Sequence, residues 1–310
     1  MNNHIYLNFY GFDEPPFSIT PDPSFLFLSN THKSVIDKVV YGIESRMGFI
    51  LLVGEVGTGK TTICRSIIDS LENKADIVYI INPSLSGKEL ISSILDDLKI
   101  NYTENNSKKD LIDHLNNFLL SDSNNKPVVI VIDDAQTMSI EALEDLRLLS
   151  NLETDKAKLI QMVLVGQPEL VDMISKSELR QLRQRMAIYC HLDYLTKDEV
   201  SAYIQRRIFI AGNKGHVRFS DKAINLIFKS SNGIPRLINM ICDYSLIAGF
   251  VSNDYVIEPL HVKKAYKELG TMYLKSNYIS ELTPLQKHKK TIIWGAVLAI
   301  FLFIIIITFR

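Results

Sequence analysis

Eight consecutive residues carry the clearest chemistry in this chain. Gly54-Glu55-Val56-Gly57-Thr58-Gly59-Lys60-Thr61 fit the pattern GxxxxGK[ST], with Thr62 following. Small residues at Gly54, Gly57 and Gly59 let backbone N–H groups wrap a polyphosphate, and Lys60 is long enough to reach its outer phosphates. The Thr61 hydroxyl is a hard oxygen ligand suited to Mg²⁺. The loop lies between an apolar run, Phe49-Ile50-Leu51-Leu52-Val53, and a segment with helical spacing of Ile63, Ile67, Ile68 and Leu71. Strand, glycine loop and helix in that order bring the partial positive charge of a helix N-terminus to the phosphates.

A second set of residues completes such a site. Val128-Val129-Ile130-Val131-Ile132 ends in Asp133-Asp134. An apolar strand tipped with carboxylates supplies Asp133 for the Mg²⁺ shell and Asp134 as general base toward an attacking water. The strand from Leu159 to Val165 runs into Gly166-Gln167-Pro168-Glu169, and Gln167 is the candidate to touch the γ-phosphate or its water. Leu179 to Arg185 contains Arg180, Arg183 and Arg185. Either Arg183 or Arg185 suits the arginine that reaches a neighbouring subunit's γ-phosphate, and Arg185 is preferred; a plain solvated basic face is the competing reading. Arg236 follows Gly233-Ile234-Pro235 at a helix start. A cation there opposes the helix dipole, so a phosphate contact is expected of it.

These residues need a scaffold that brings them together. Strand and helix signals alternate from Thr31 to about residue 195, and the strands are apolar throughout, as in a parallel sheet buried on both faces. Ser86 with Glu89 and Thr196 with Glu199 read as capping boxes. After residue 195 the strand signals stop, and four helical segments follow, the last opened by Pro259 and closed by Gly270. The expected architecture is an aromatic and proline-rich segment (1–30) packed on an α/β core (31–195), a helical lid (196–270) and a polar linker (271–290).

Composition limits the alternatives. Hydrophobic residues make up 46% of the 310-residue chain, enough for a substantial core. A net charge of −1 supplies no global field toward nucleic acid. The cysteines, Cys64, Cys190 and Cys242, follow no zinc spacing and sit in apolar stretches, which argues for reduced, buried thiols. Met1 to Tyr10 lacks the basic start and apolar run of a signal peptide. Thr291 to Phe309 carries no charge and matches the roughly 20 residues needed to span a bilayer as a helix. Lys287, Lys289 and Lys290 precede it and Trp294 lies near that end. The expectation is a transmembrane helix over 291–309 that leaves the N-terminal part in the cytoplasm.

Taken together, the motifs resemble the AAA+ ATPases, and more narrowly the ExeA/GspA type of the general secretory pathway. The resemblance rests on Tyr6-Leu7-Asn8-Phe9-Tyr10-Gly11-Phe12 with Pro15-Pro16-Phe17 and Thr20-Pro21-Asp22-Pro23. It continues through Gly54 to Thr62, Asp133-Asp134-Ala135-Gln136, Gly166-Gln167-Pro168-Glu169-Leu170, Gln184-Arg185 and Gly233-Ile234-Pro235-Arg236, covering about residues 5–270. It implies an ATP-driven homo-oligomer in which Arg236 senses the nucleotide from the lid and Arg185 acts in trans. It also implies a cytoplasmic ATPase joined to one inner-membrane span, in contact with lipid. Two departures stand out. Asp134 takes the place of the family's usual glutamate, which shortens the base by one methylene and is expected to slow hydrolysis. Secretion members of this type often continue past the span into a periplasmic region with a peptidoglycan-binding module; with Arg310 last, cell-wall contact is expected from a separate partner subunit.

The leading functional expectation is a membrane-anchored ATPase that drives or regulates assembly of a bacterial envelope machine, such as type II secretion or a type IV pilus. Its cofactors are ATP and Mg²⁺, and its partner is an inner-membrane subunit of that machine. Two other readings compete. One is a DNA-associated ATPase resembling transposition helpers, against which the near-zero charge and the C-terminal span argue. The other is a nucleotide-gated membrane scaffold in which Asp134 is too short to hydrolyse.

Overall fold

In this computed structural model the described residues are 5–20, 22–81, 83–121, 126–153, 158–212 and 217–273. In chain order they form α1 (Leu7–Tyr10), α2 (Asn30–Glu44), β1 (Phe49–Gly54), α3 (Lys60–Ser70), β2 (Asp76–Ile80), α4 (Gly87–Asp97) and α5 (Lys108–Leu119). Then come β3 (Val128–Ile132), α6 (Ile140–Leu149), β4 (Ile160–Gly166), α7 (Pro168–Ile174), α8 (Arg180–Arg183) and β5 (Met186–Leu192). The last part holds α9 (Lys197–Ile210), β6 (Arg218–Phe219), α10 (Asp221–Ser231), α11 (Pro235–Val251), β7 (Val256–Ile257) and α12 (Pro259–Tyr273).

The first five strands make one sheet in the order β2-β3-β4-β1-β5, and every pairing is parallel. Side chains alternate across it. Phe49, Leu51 and Val53 of β1 enter a cluster with residues of α4 to α8, while Ile50 and Leu52 enter a second cluster with α2 and α3. Both faces are therefore covered, which is why β1, β3 and β4 are buried at every position. Because β4 separates β1 from β3, the glycine loop, the Gly166-Gln167 turn and the Asp133-Asp134 turn all leave the same edge of the sheet, at the C-terminal ends of neighbouring strands. That edge is where open α/β sheets place their ligands.

β5 does not announce itself by an apolar run. It lies at the sheet edge, with Cys190 and Leu192 buried but Ala187, Tyr189 and His191 exposed. The lid departs from an all-helical reading by one short feature, a parallel pairing of Arg218–Phe219 with Val256–Ile257. Two-residue strands are too short to leave a periodicity in sequence. α12 runs through Gly270 to Tyr273, since a glycine inside a helix costs only about 1 kcal/mol relative to alanine.

The N-terminal segment packs on the lid, not on the α/β core. Tyr6, Tyr10, Phe12, Phe17 and Phe25 share one buried cluster with Val200, Ile204, Ile238, Ile241 and Leu246. The sheet's faces are already occupied, and the lid helices offer the apolar surface that these aromatics need. Polar bonds fix the arrangement. The Tyr6 hydroxyl donates to Asp243, and that of Tyr10 donates to the carbonyl of Leu246 at 3.0 Å. Arg207 on α9 is buried and donates from Nε to the Pro16 carbonyl at 2.6 Å, from Nη2 to that of Ser18 at 3.2 Å, and from Nη1 to the Tyr203 hydroxyl at 3.0 Å. Its guanidinium also lies 4.8 Å from the centre of the Phe25 ring. Arg207→Met keeps the stem but leaves the buried Pro16 carbonyl without its donor. A loss of about 3 kcal/mol is expected, because hydrogen bonds to charged groups contribute about 1.5–3 kcal/mol each; urea denaturation followed by tyrosine fluorescence measures it.

Among the described residues no helix is long and apolar enough to cross a membrane. The stretch 291–309 expected to do so, its basic flank and residues 274–290 of the linker lie outside the described residues.

Candidate nucleotide site

Six of the twelve helices among the described residues begin on a serine or threonine whose side chain accepts a backbone N–H of the first turn. Ser29, Ser86, Ser107, Ser139, Thr196 and Ser220 do so for α2, α4, α5, α6, α9 and α10. α3 and α11 do not. Gly59 precedes α3 with φ 99°, ψ 20° and has no side chain to offer, and Ile234 precedes α11 with no side-chain cap bond. Both uncapped ends open on one cavity of about 480 Å³. The first-turn N–H groups of α3 and the dipoles of both helices make an environment that favours an anion.

The glycine loop forms one wall. Lys60 is buried, and its Nζ donates to the loop's own carbonyls, Gly54 at 2.8 Å and Glu55 at 3.0 Å. Burial pulls the Lys60 ammonium below its usual range, and the charges of Asp133, Asp134 and Glu55 oppose that pull. Gly57 has φ +81°, and a Cβ there would come within 2.8 Å of Arg236 Cβ. The Arg236 N–H donates to the Gly57 carbonyl at 3.3 Å. The loop thus touches the first turn of lid helix α11 directly, and this contact needs glycine both for its conformation and for its closeness.

Behind the loop, the Thr61 hydroxyl donates to Asp133 Oδ2 at 2.7 Å. Asp133 is 3% exposed, and its Oδ1 accepts the Asp134 N–H at 2.9 Å. The Tyr79 hydroxyl on β2 donates to the same Oδ2 at 3.3 Å. Burial, followed by the nearby Cys64 and Asp133, pushes the Tyr79 phenol up, so it stays a donor. A threonine hydroxyl beside an aspartate is the hard-oxygen set that Mg²⁺ prefers, so the residues present fit that ion. Asp134 is exposed to the cavity and adopts the left-handed conformation, φ 53° and ψ 36°.

The structure brings Val56, Gly57, Thr58, Gly59, Lys60, Thr61, Thr62, Asp134, Gln167 and Arg236 to the cavity. Gly54 and Asp133 lie behind it, and Glu55 faces solvent. Arg185 is not brought there. Its guanidinium donates to Ser150 Oγ at 2.6 Å and Asn151 Oδ1 at 2.5 Å, just past the end of α6. Arg183 donates to the Ser175 carbonyl at 2.9 Å.

Sequence reasoning missed the opposite wall. Ser18, Ile19, Thr20, Phe25, Phe27 and His32 line the cavity from the N-terminal side, with Leu195 at the end of the core and Tyr203, Arg207 and Asn239 from the lid. His32 is buried; its Nδ1 accepts the Ser29 N–H at 3.3 Å, and its ring also meets the Thr58 backbone. Burial holds the His32 imidazole below its usual range, with the Thr58 contact opposing, so the neutral ring links the start of α2 to the glycine loop. No local spacing signals these residues. Tyr79 had one faint signal, as a polar tip on a strand that pairs beside β3.

A parallel sheet with a glycine loop after β1, acids after β3 between β4 and β2, and a helical lid over the loop defines a P-loop protein of the AAA+ class. Comparison with known proteins agrees. Residues 43–174 match the family described as AAA domain. General secretion pathway protein A of Aeromonas hydrophila is 42% identical over 254 residues, 82% of this chain and 46% of that protein. The chain therefore spans less than half the length of that relative. Among solved structures, Cdc6p from Pyrobaculum aerophilum superposes with a TM-score of 0.64 at 21% identity, over 83% of this chain and 71% of the other. The RuvB Holliday junction branch migration motor of Thermotoga maritima gives 0.52 at 21% identity, over 79% and 70%. These two show the fold alone. The chain belongs to the AAA+ proteins of the ExeA/GspA type.

Proposed function

We propose that this chain binds and hydrolyses ATP at the inner face of a bacterial inner membrane, to which residues 291–309 anchor it, and so drives or regulates assembly of an envelope machine of the type II secretion or type IV pilus kind. The observation that carries the nucleotide part is the pair of uncapped helix starts facing one cavity, with Lys60, Asp134 and Arg236 on its walls. The link to a machine rests on the likeness to General secretion pathway protein A.

The residues divide the work as follows. The amides at the start of α3 hold the phosphates, and Lys60 exchanges its loop carbonyls for phosphate oxygens. Thr61 and Asp133 would hold Mg²⁺, which would draw charge from the phosphates. Asp134 takes the proton of the attacking water, with Gln167 beside it to orient that water. Arg236 meets the phosphates from the lid and reports their presence through α11. Arg185, held by Ser150 and Asn151 outside its own cavity, would serve the cavity of a neighbouring copy in a homo-oligomer.

The test uses the full chain expressed in a bacterial host. It is expected to stay with the membrane after an alkaline wash and to release phosphate from ATP when Mg²⁺ is supplied. A chain recovered in the soluble fraction removes the anchor from this reading, and a membrane-held chain that binds ATP without releasing phosphate removes the hydrolysis.

A further inference from the structure

We propose that Gln136 is the positioning residue that fixes the Asp134 carboxylate and couples it to the tip of β4. The inference deepens the reading of Asp134 as general base and rests on it. Three observations carry it.

First, the main chain of Asp134 is already locked. Its carbonyl accepts both the Thr137 N–H and the Thr137 hydroxyl at 2.9 Å, and its own N–H is given to Asp133. Only the side-chain torsions remain to be set. Second, Gln136 Nε2 donates to Asp134 Oδ1 at 3.0 Å. Among the described residues no other donor meets that carboxylate. One oxygen is held and the other is left for water. Third, the far end of the same amide is used as well. Gln136 Oε1 accepts the Gln167 N–H at 3.1 Å, and it fits there because Gly166 has no side chain: a Cβ on Gly166 would lie 2.8 Å from that oxygen.

A primary amide is the group this position requires, because it donates at one end and accepts at the other. The result is a bridge from the tip of β4, which carries Gln167, to the base. When Gln167 shifts on meeting the outer phosphate, Asp134 shifts with it. A short base depends on such a bridge more than a long one, since it has one torsion fewer with which to find the water.

Gln136→Met preserves volume and removes both bonds, whereas Gln136→Glu preserves shape and the acceptor but puts an oxygen where the donor stood. Both are expected to lower kcat about 100-fold, the scale of a 1 Å misplacement, with KM for ATP within about twofold of wild type. In an Asp134→Asn background, adding Gln136→Met is expected to change the residual rate by less than about twofold, because the residue it positions is already gone. Amide hydrogen exchange of the nucleotide-free protein gives a readout apart from turnover. Protection of the Gln167 N–H is expected to be lost in Gln136→Met and kept in Gln136→Glu. Losses that multiply between Asp134→Asn and Gln136→Met, or a rise in KM that matches the fall in kcat/KM, overturn the bridge and leave Asp134 as base. A wild-type chain without turnover overturns both.

Discussion

Replacing Lys60 by alanine is expected to weaken ATP binding by at least about 100-fold, since it removes charged hydrogen bonds that contribute about 1.5–3 kcal/mol each. The structure explains why this side chain matters so much. An ammonium buried to 7% exposure is costly to desolvate, and the pull of burial on its proton is the largest influence on Lys60. Two loop carbonyls at 2.8 and 3.0 Å hold it in the meantime. Phosphate oxygens carry full charge and are better partners. Alanine is the best helix former and sits at the first position of α3, so the helix persists. Titration with a fluorescent ATP analogue measures the loss, and circular dichroism checks the fold. Wild-type affinity in the variant would remove the phosphates from this loop.

Asp134→Asn is expected to separate binding from chemistry. Turnover should fall by roughly 10²–10⁴, the usual contribution of a positioned base, while ATP affinity stays near that of wild type. Asparagine is as tolerant as aspartate of the left-handed conformation found here, so the turn is preserved. Asp134→Glu is the informative companion, because it restores the methylene that the family's usual residue carries. Phosphate release by wild type, Asn and Glu forms distinguishes a hydrolase from a non-hydrolysing scaffold. If all three are equally inert while binding ATP, the chain is a nucleotide-gated scaffold and not a hydrolase.

What could be read from the residues was what is local. The glycine loop between β1 and α3 is specified by neighbours in sequence, and so are the capping boxes at Ser86 and Thr196. The strands buried on both faces were legible as apolar runs. β5 was not, because an edge strand with exposed Tyr189 and His191 looks like a loop. The site shows the same division. Lys60, Asp133, Asp134 and Gln167 sit beside motif residues. His32 and Tyr79 reach the site only through the fold, 26 positions from Thr58 and 54 from Asp133, and Tyr203 enters it from the lid. Gln136 stood in plain view two positions past Asp134, yet its role needs Gly166 and the tip of β4 to become apparent. The partner of the aromatic N-terminal segment was misjudged because hydrophobicity tells a side chain to be buried but not where.

The aromatic segment has a further consequence during synthesis. Its place on the lid makes the α/β core an insertion within a discontinuous unit whose two parts meet only across the whole length of the core. Tyr10 finds the Leu246 carbonyl 236 residues further along the chain. At ribosomal speeds of about 5–20 residues per second, that separation is a wait of roughly 10–50 s before Tyr10 can meet α11. The core has time to fold between them, and a segment made before the core is among the last to find its place.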